Sequence, residues 1–174
     1  RPGPITANRG GPGELSGRPR IPDMDLAPVA DWEPSRIGDP ERAAAVLVPV
    51  TEPGTELVFI RRSSTLAEHP GEMSFPGGNV ERRDRNREAT AIRESGEEVG
   101  LRPAEITTVG RLDDVQTVSG YTVSPFVATV PNRDYGPGDD EVAEVVRLAV
   151  GDLADPANHT FESREHPGFG TVPC

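Results

Sequence analysis

The stretch RESGEEVG, residues 93–100, places Glu94, Glu97 and Glu98 directly after Arg93. Like charges three and four residues apart on a helix repel by roughly 0.2–0.5 kcal/mol per pair, so a cation nearby would relieve them. A metal ion is one such cation. Glu94 and Glu98 stand one helical turn apart and could share it, while Glu97 beside them could bind a further ion or take a proton from water. Arg93 could pair with any of the three. In so acidic a chain the same residues also read as a solvated helix face, and the loop upstream tips the balance. FPGG at 75–78 carries two glycines, which let backbone approach a bound ion or phosphate where a Cβ would obstruct it. Carboxylates from a helix plus a carbonyl from an adjoining loop are the oxygen donors that a hard cation such as Mg²⁺ takes.

These residues need elements to hold them. AAAVLVPV (43–50) and ELVFI (56–60), joined by TEPGT, read as two strands around a Pro-Gly turn. Asp84 or Asn86 can cap a helix that runs to Val99, with Gly100 as its stop. At about 100° per residue, Ala89, Ile92, Gly96 and Val99 fall on its inward side, and the three glutamates face largely outward. ITTVGRL (106–112), YTVSPFVATV (121–130) and EVAEVVRLAV (141–150) predict three more strands, and GDLADP (151–156) a short helix. Strands on both sides of one helix fit a mixed sheet in an α/β or α+β domain. Residues 1–40 alternate Pro, Gly and Arg without apolar periodicity, which predicts a disordered or loosely docked leader with Trp32 anchoring a short helix; the domain proper is expected over 41–174.

The 174 residues suit one domain, and a net charge of −11 argues against nonspecific binding to nucleic acid or anionic membrane. All eighteen basic residues are arginine. An anionic substrate would need a local metal or arginine pocket. The single cysteine, Cys174, leaves no intramolecular disulfide and no thiolate metal site. No apolar run approaches the ~18 residues of a membrane span, and a cytoplasmic location is expected.

The segment GGNVERRDRNREATAIRESGEEVGL (77–101) resembles the Nudix box, with Gly78, the early acid at Asp84, and then Arg-Glu-x-x-Glu-Glu-x-Gly. The interval between Gly78 and Arg93 is one residue longer than the commonest form. That variant, RSSTLAEHPGEMSFPGG (62–78) and LDDVQTVSGYTVSPFVATV (112–130) are similar to the coenzyme A pyrophosphatase branch of the family. Ala67 departs from it, standing where the branch has arginine.

The resemblance implies a Nudix α/β/α sandwich with a mixed β-sheet, expected here without the branch's C-terminal strand and helix. It implies Mg²⁺- or Mn²⁺-dependent cleavage of the diphosphate of coenzyme A or acyl-CoA to 3′,5′-ADP and (acyl-)4′-phosphopantetheine. Glu94, Glu98, Glu97 and the loop at Gly78 would hold metal; Glu97 would serve as further ligand or base, and Arg93 would orient a glutamate. Arg62 and His69 are expected substrate contacts, although each could equally be a surface group. The expected partner is a small nucleoside diphosphate derivative, with a homodimer also common among relatives. Two alternatives stay open: hydrolysis of another nucleotide such as ADP-ribose, and a catalytically silent nucleotide-binding module. His159 and His166 lack the spacing of a zinc pair, and Ser119 and Ser124 have no histidine nearby to make a nucleophile.

Overall fold

The computed structural model describes residues 24–38, 40–66, 70–160, 163–166 and 170–173. A four-residue helix α1 (Ala27–Ala30) precedes the first strand, β1 (Arg42–Thr51). Along β1 burial alternates until the last three residues, as a strand with one face on the core requires. A tight turn, closed by the Gly54 N–H donating to Thr51 O at 2.5 Å, leads into β2 (Glu56–Arg62). The two strands pair only where they leave the turn, at Val50 and Leu57, and then diverge.

The FPGG segment fills the gap that opens between them. β3 (Met73–Ser74) pairs with the far end of β2, and β4 (Gly77–Asn79) pairs with the start of β1, Ala45 opposite Gly78. Helix α2 (Arg87–Val99) follows. Next come β5 (Thr107–Arg111), the two-residue β6 (Val115–Gln116), β7 (Tyr121–Val130) and β8 (Val142–Ala149). A short helix α3 (Val150–Ala154) leads to a separate antiparallel pair, β9 (Ser163–His166) and β10 (Gly170–Pro173). β7 runs parallel to β1 along its whole length, Arg42 opposite Tyr121 through Thr51 opposite Val130, while every other ladder is antiparallel. The sheet is therefore mixed and flanked by helices, the α/β sandwich expected. The expected strands and the short helix at 151–156 form within a few residues of their expected bounds; β3, β4, β6, β9 and β10 lie where no strand was expected.

The core sits between α2 and one sheet face. Ala45 and Leu47 of β1, Ile60 of β2, Phe126 and Ala128 of β7 and Val142 of β8 meet Ala91 and Val99 of the helix. Each large aliphatic chain buried there contributes about 1.5–3 kcal/mol.

Of the two caps that the sequence left open, Asn86 is the one used: its side chain accepts from the Ala89 N–H at 2.8 Å, and Gly100 ends the helix at φ 69°. The expected inward face is corrected. The buried residues of α2 are Thr90, Ala91, Ser95, Glu98 and Val99, so the helix is rotated relative to its apolar stripe and Glu98 points in. The rotation is tolerated because the inward hydroxyls are satisfied locally, Thr90 on Asp84 and Ser95 on the Ala91 carbonyl.

Residues 24–38 lie along the edge of this unit. Trp32 is 54% exposed, but its indole N–H donates to Asp113 at 3.0 Å, as does the Ser35 N–H at 2.9 Å. The Ile37 N–H donates to Asp114, whose buried carboxylate also receives Arg87, Arg111 and Ser124. Among the described residues no helix is long and apolar enough to cross a membrane.

Candidate active site

Strand β4 is nearly bare of side chains, and that is what lets α2 reach past it. A Cβ on Gly77 would strike the Ala45 carbonyl, and one on Gly78 would run into the Glu94 carboxylate. Through this gap Glu98, 4% exposed, accepts a hydrogen bond from the Gly77 N–H at 2.8 Å. Burial pushes the Glu98 carboxyl up to about 8, the Gly77 N–H opposes this, and the charges of Glu94 and Asp139 add to it. Glu94 is raised as well, by burial first, against the pull of Arg93.

Arg93 ties the opposite side together. Its Nε and Nη2 donate to the two oxygens of Asp84 at 3.0 and 3.1 Å, Nη1 to Glu94 at 2.8 Å and Glu97 at 3.0 Å, and Nη2 also to the Asn79 carbonyl at 3.1 Å. This fork holds the Asp84 carboxyl well below the usual carboxylate range. Glu97 is the most open of the three glutamates, at 47% exposure, and receives Arg83 as well.

These groups line a cleft of about 850 Å³. The predicted residues Arg62, Gly78, Arg93, Glu94, Glu97 and Glu98 all reach it; His69 lies outside the described residues. Arg62, at the end of β2, stands 3.9 Å from Glu141 and keeps a buried Nε without a hydrogen-bond partner. The sequence reading missed Glu72, Glu81, Asp139 and Glu141, which bring the carboxylates on the cleft to seven against three guanidinium groups, Arg42, Arg62 and Arg93. The run GDDE at 138–141, just before a predicted strand, was the signal for two of them. Asp84 was read only as a cap or as the early acid of the motif, whereas it is the main anchor of Arg93.

Among the described residues no three acidic side chains converge as a ready metal cage, Glu94 and Glu97 being turned to Arg93. The donor set still suits a hard divalent cation: a desolvated Glu98, Glu94 one turn away, and a glycine edge that keeps the space between sheet and helix open.

The NUDIX domain family matches residues 41–166, and the chain belongs to that family. The uncharacterized Nudix hydrolase NudL of Cronobacter sakazakii is 40% identical over 114 residues, 63% of this chain and 58% of the relative. Its Klebsiella pneumoniae counterpart is 38% identical over 120 residues, 68% and 62% of the two chains. The chain thus spans less than two thirds of the length of these curated relatives. A NUDIX hydrolase from Nitrosomonas europaea shares the fold, with a TM-score of 0.54 at 20% identity, covering 71% of this chain and 64% of that one.

Proposed function

We propose that the chain is a Mg²⁺- or Mn²⁺-dependent pyrophosphohydrolase that cleaves the diphosphate of coenzyme A or an acyl-CoA to 3′,5′-ADP and (acyl-)4′-phosphopantetheine. The observation that carries this reading is the buried Glu98 beside Glu94 in a cleft with an excess of carboxylates, a place that admits an anionic diphosphate only with a cation. The coenzyme A branch rests on the sequence of residues 62–78 and 112–130.

Glu94 and Glu98 would hold the ion, with Glu97 and the backbone at Gly78 as further donors. Bound there, a divalent ion supplies charge neutralisation of the diphosphate, polarisation of phosphorus and a lowered pKa for water. Glu97, open to solvent and hydrogen-bonded by Arg93, would serve as that further ligand or as the base that takes the proton of the incoming water. Arg93 acts through the glutamates and is a positioning residue. Arg62 lines the cleft near Glu141, which fits a contact to a substrate phosphate, and His69 is assigned the same role from sequence alone. A cytoplasmic enzyme acting on a small nucleotide, with a homodimer as its assembly, completes the reading.

The test is incubation with Mg²⁺ and, separately, coenzyme A, ADP-ribose, NADH and nucleoside triphosphates, with identification of products. Release of 3′,5′-ADP from coenzyme A alone is expected. Turnover of ADP-ribose alone would move the substrate class, and no product from any compound would leave a silent binding module.

A further inference from the structure

The cleft has an end that the metal chemistry does not use. Arg42 opens β1 and Tyr121 opens β7, paired side by side in the parallel ladder. The guanidinium lies 4.0 Å over the Tyr121 ring, donates from Nη2 to the phenol oxygen at 2.5 Å and from Nη1 to the Ser119 carbonyl at 3.3 Å. Thr117 and Ser119 bring two further hydroxyls, 2.9 Å apart, on a turn fixed by the Tyr121 N–H to Thr117 Oγ1 at 3.0 Å and by Gly120 at φ 82°.

Charge sets this end apart. Of the three guanidinium groups on the cleft, Arg93 is held by Asp84, Glu94 and Glu97, and Arg62 pairs with Glu141. Arg42 forms no ion pair with any carboxylate among the described residues; its contacts are an aromatic face and two neutral oxygens. A cation ringed by hydroxyls, at the end of an otherwise acidic cleft, is a binding place for a phosphate monoester. Position agrees with this. Val46 is the ladder partner of Gly77, whose N–H holds Glu98, and Arg42 lies four residues back along β1, about 13 Å at the rise of a strand. Ala44, Val46 and Val123 floor the space between and leave an apolar bed for a sugar and base.

We propose that Arg42, with the hydroxyls of Tyr121, Thr117 and Ser119, is the subsite for a phosphate monoester on the ribose of the nucleoside half of the substrate. The inference rests on the reading of the cleft as a nucleoside diphosphate site, and it makes Arg42 the residue that separates ribose-phosphorylated nucleotides from plain ones.

The test is calorimetric titration of the full chain with adenosine 3′,5′-bisphosphate, adenosine 5′-monophosphate and inorganic phosphate, repeated on Arg42→Met and Arg42→Lys. The bisphosphate is expected to bind at least about tenfold more tightly than the monophosphate, the worth of one charge-assisted contact. Arg42→Met should bring that ratio near one, and Arg42→Lys should keep part of it, with unchanged circular dichroism spectra. Equal affinities in the native chain, an unaltered ratio in Arg42→Met, or inorganic phosphate binding as well as the bisphosphate would each overturn the subsite. Failure of the functional reading is seen separately, as preferential binding of the bisphosphate by a chain that releases nothing from coenzyme A with Mg²⁺.

Discussion

Arg93 meets Asp84 fork to fork, Nε to Oδ1 at 3.0 Å and Nη2 to Oδ2 at 3.1 Å, with the aspartate side chain only 4% exposed. The pair links the loop ahead of α2 to the helix's second turn and fixes the arginine from which Glu94 and Glu97 hang. Asp84→Asn should therefore destabilise the fold by about 3 kcal/mol in chemical denaturation at pH 7, since it leaves a mostly buried guanidinium short of its counter-charge.

The same contact predicts a pH dependence. The carboxyl lies below its ordinary value of 3.8 in the folded state, so its stabilisation is present above that value and is lost as pH falls below it toward the folded pKa. The stability gap between the native chain and Asp84→Asn should be constant from pH 5 to 7 and shrink below about pH 4. A gap that widened on acidification would contradict the assignment.

Glu98→Gln should lower hydrolysis of the preferred substrate by at least about 100-fold while the fold stays intact. In thermal melts, millimolar Mn²⁺ should raise the melting temperature of the native chain but leave the variant unmoved, because an ion that binds only the folded state stabilises it by mass action. Equal shifts in both proteins would remove Glu98 from the metal site.

Gly78→Ala places a Cβ against the Glu94 carboxylate. Glu94 must then swing its flexible carboxylate aside, so most of the activity should be lost while stability changes little, by under about 1 kcal/mol. Steady-state kinetics alongside urea unfolding would show both.

The Asp114 side chain is fully buried and receives Arg87, Arg111, Ser124 and the Ile37 N–H. Burial would raise its pKa, but those donors outweigh burial and hold it low. Asp114→Ala should cost about 3–5 kcal/mol and loosen residues 24–38, read as faster proteolysis ahead of β1.

Much of this was legible in the residues themselves. Strands β1, β2, β5, β7 and β8 follow from apolar runs bounded by turn residues, and Asn86 and Gly100 mark the ends of α2 as capping chemistry demands. The orientation of α2 was not legible, because Thr90 and Ser95 are polar by type yet turn inward with their hydroxyls satisfied by Asp84 and the Ala91 carbonyl. That rotation carries Glu98 into the interior. Nor could local pattern reveal Arg42 beside Tyr121, or Asp114 beside Arg87, since those meetings depend on which strands pair across long intervals.

The parallel ladder of β1 and β7 joins partners 79 positions apart in the chain, beginning with Arg42 and Tyr121. Closing so long a loop costs chain entropy before any contact rewards it, which places this pairing among the slow events of folding. The carboxylate end of the cleft, by contrast, is assembled from the short interval between Gly77 and Glu98. The two ends of the cavity thus draw on chain segments of very different separation, and a substitution that delays the ladder should slow refolding more than one confined to the segment from Gly77 to Glu98.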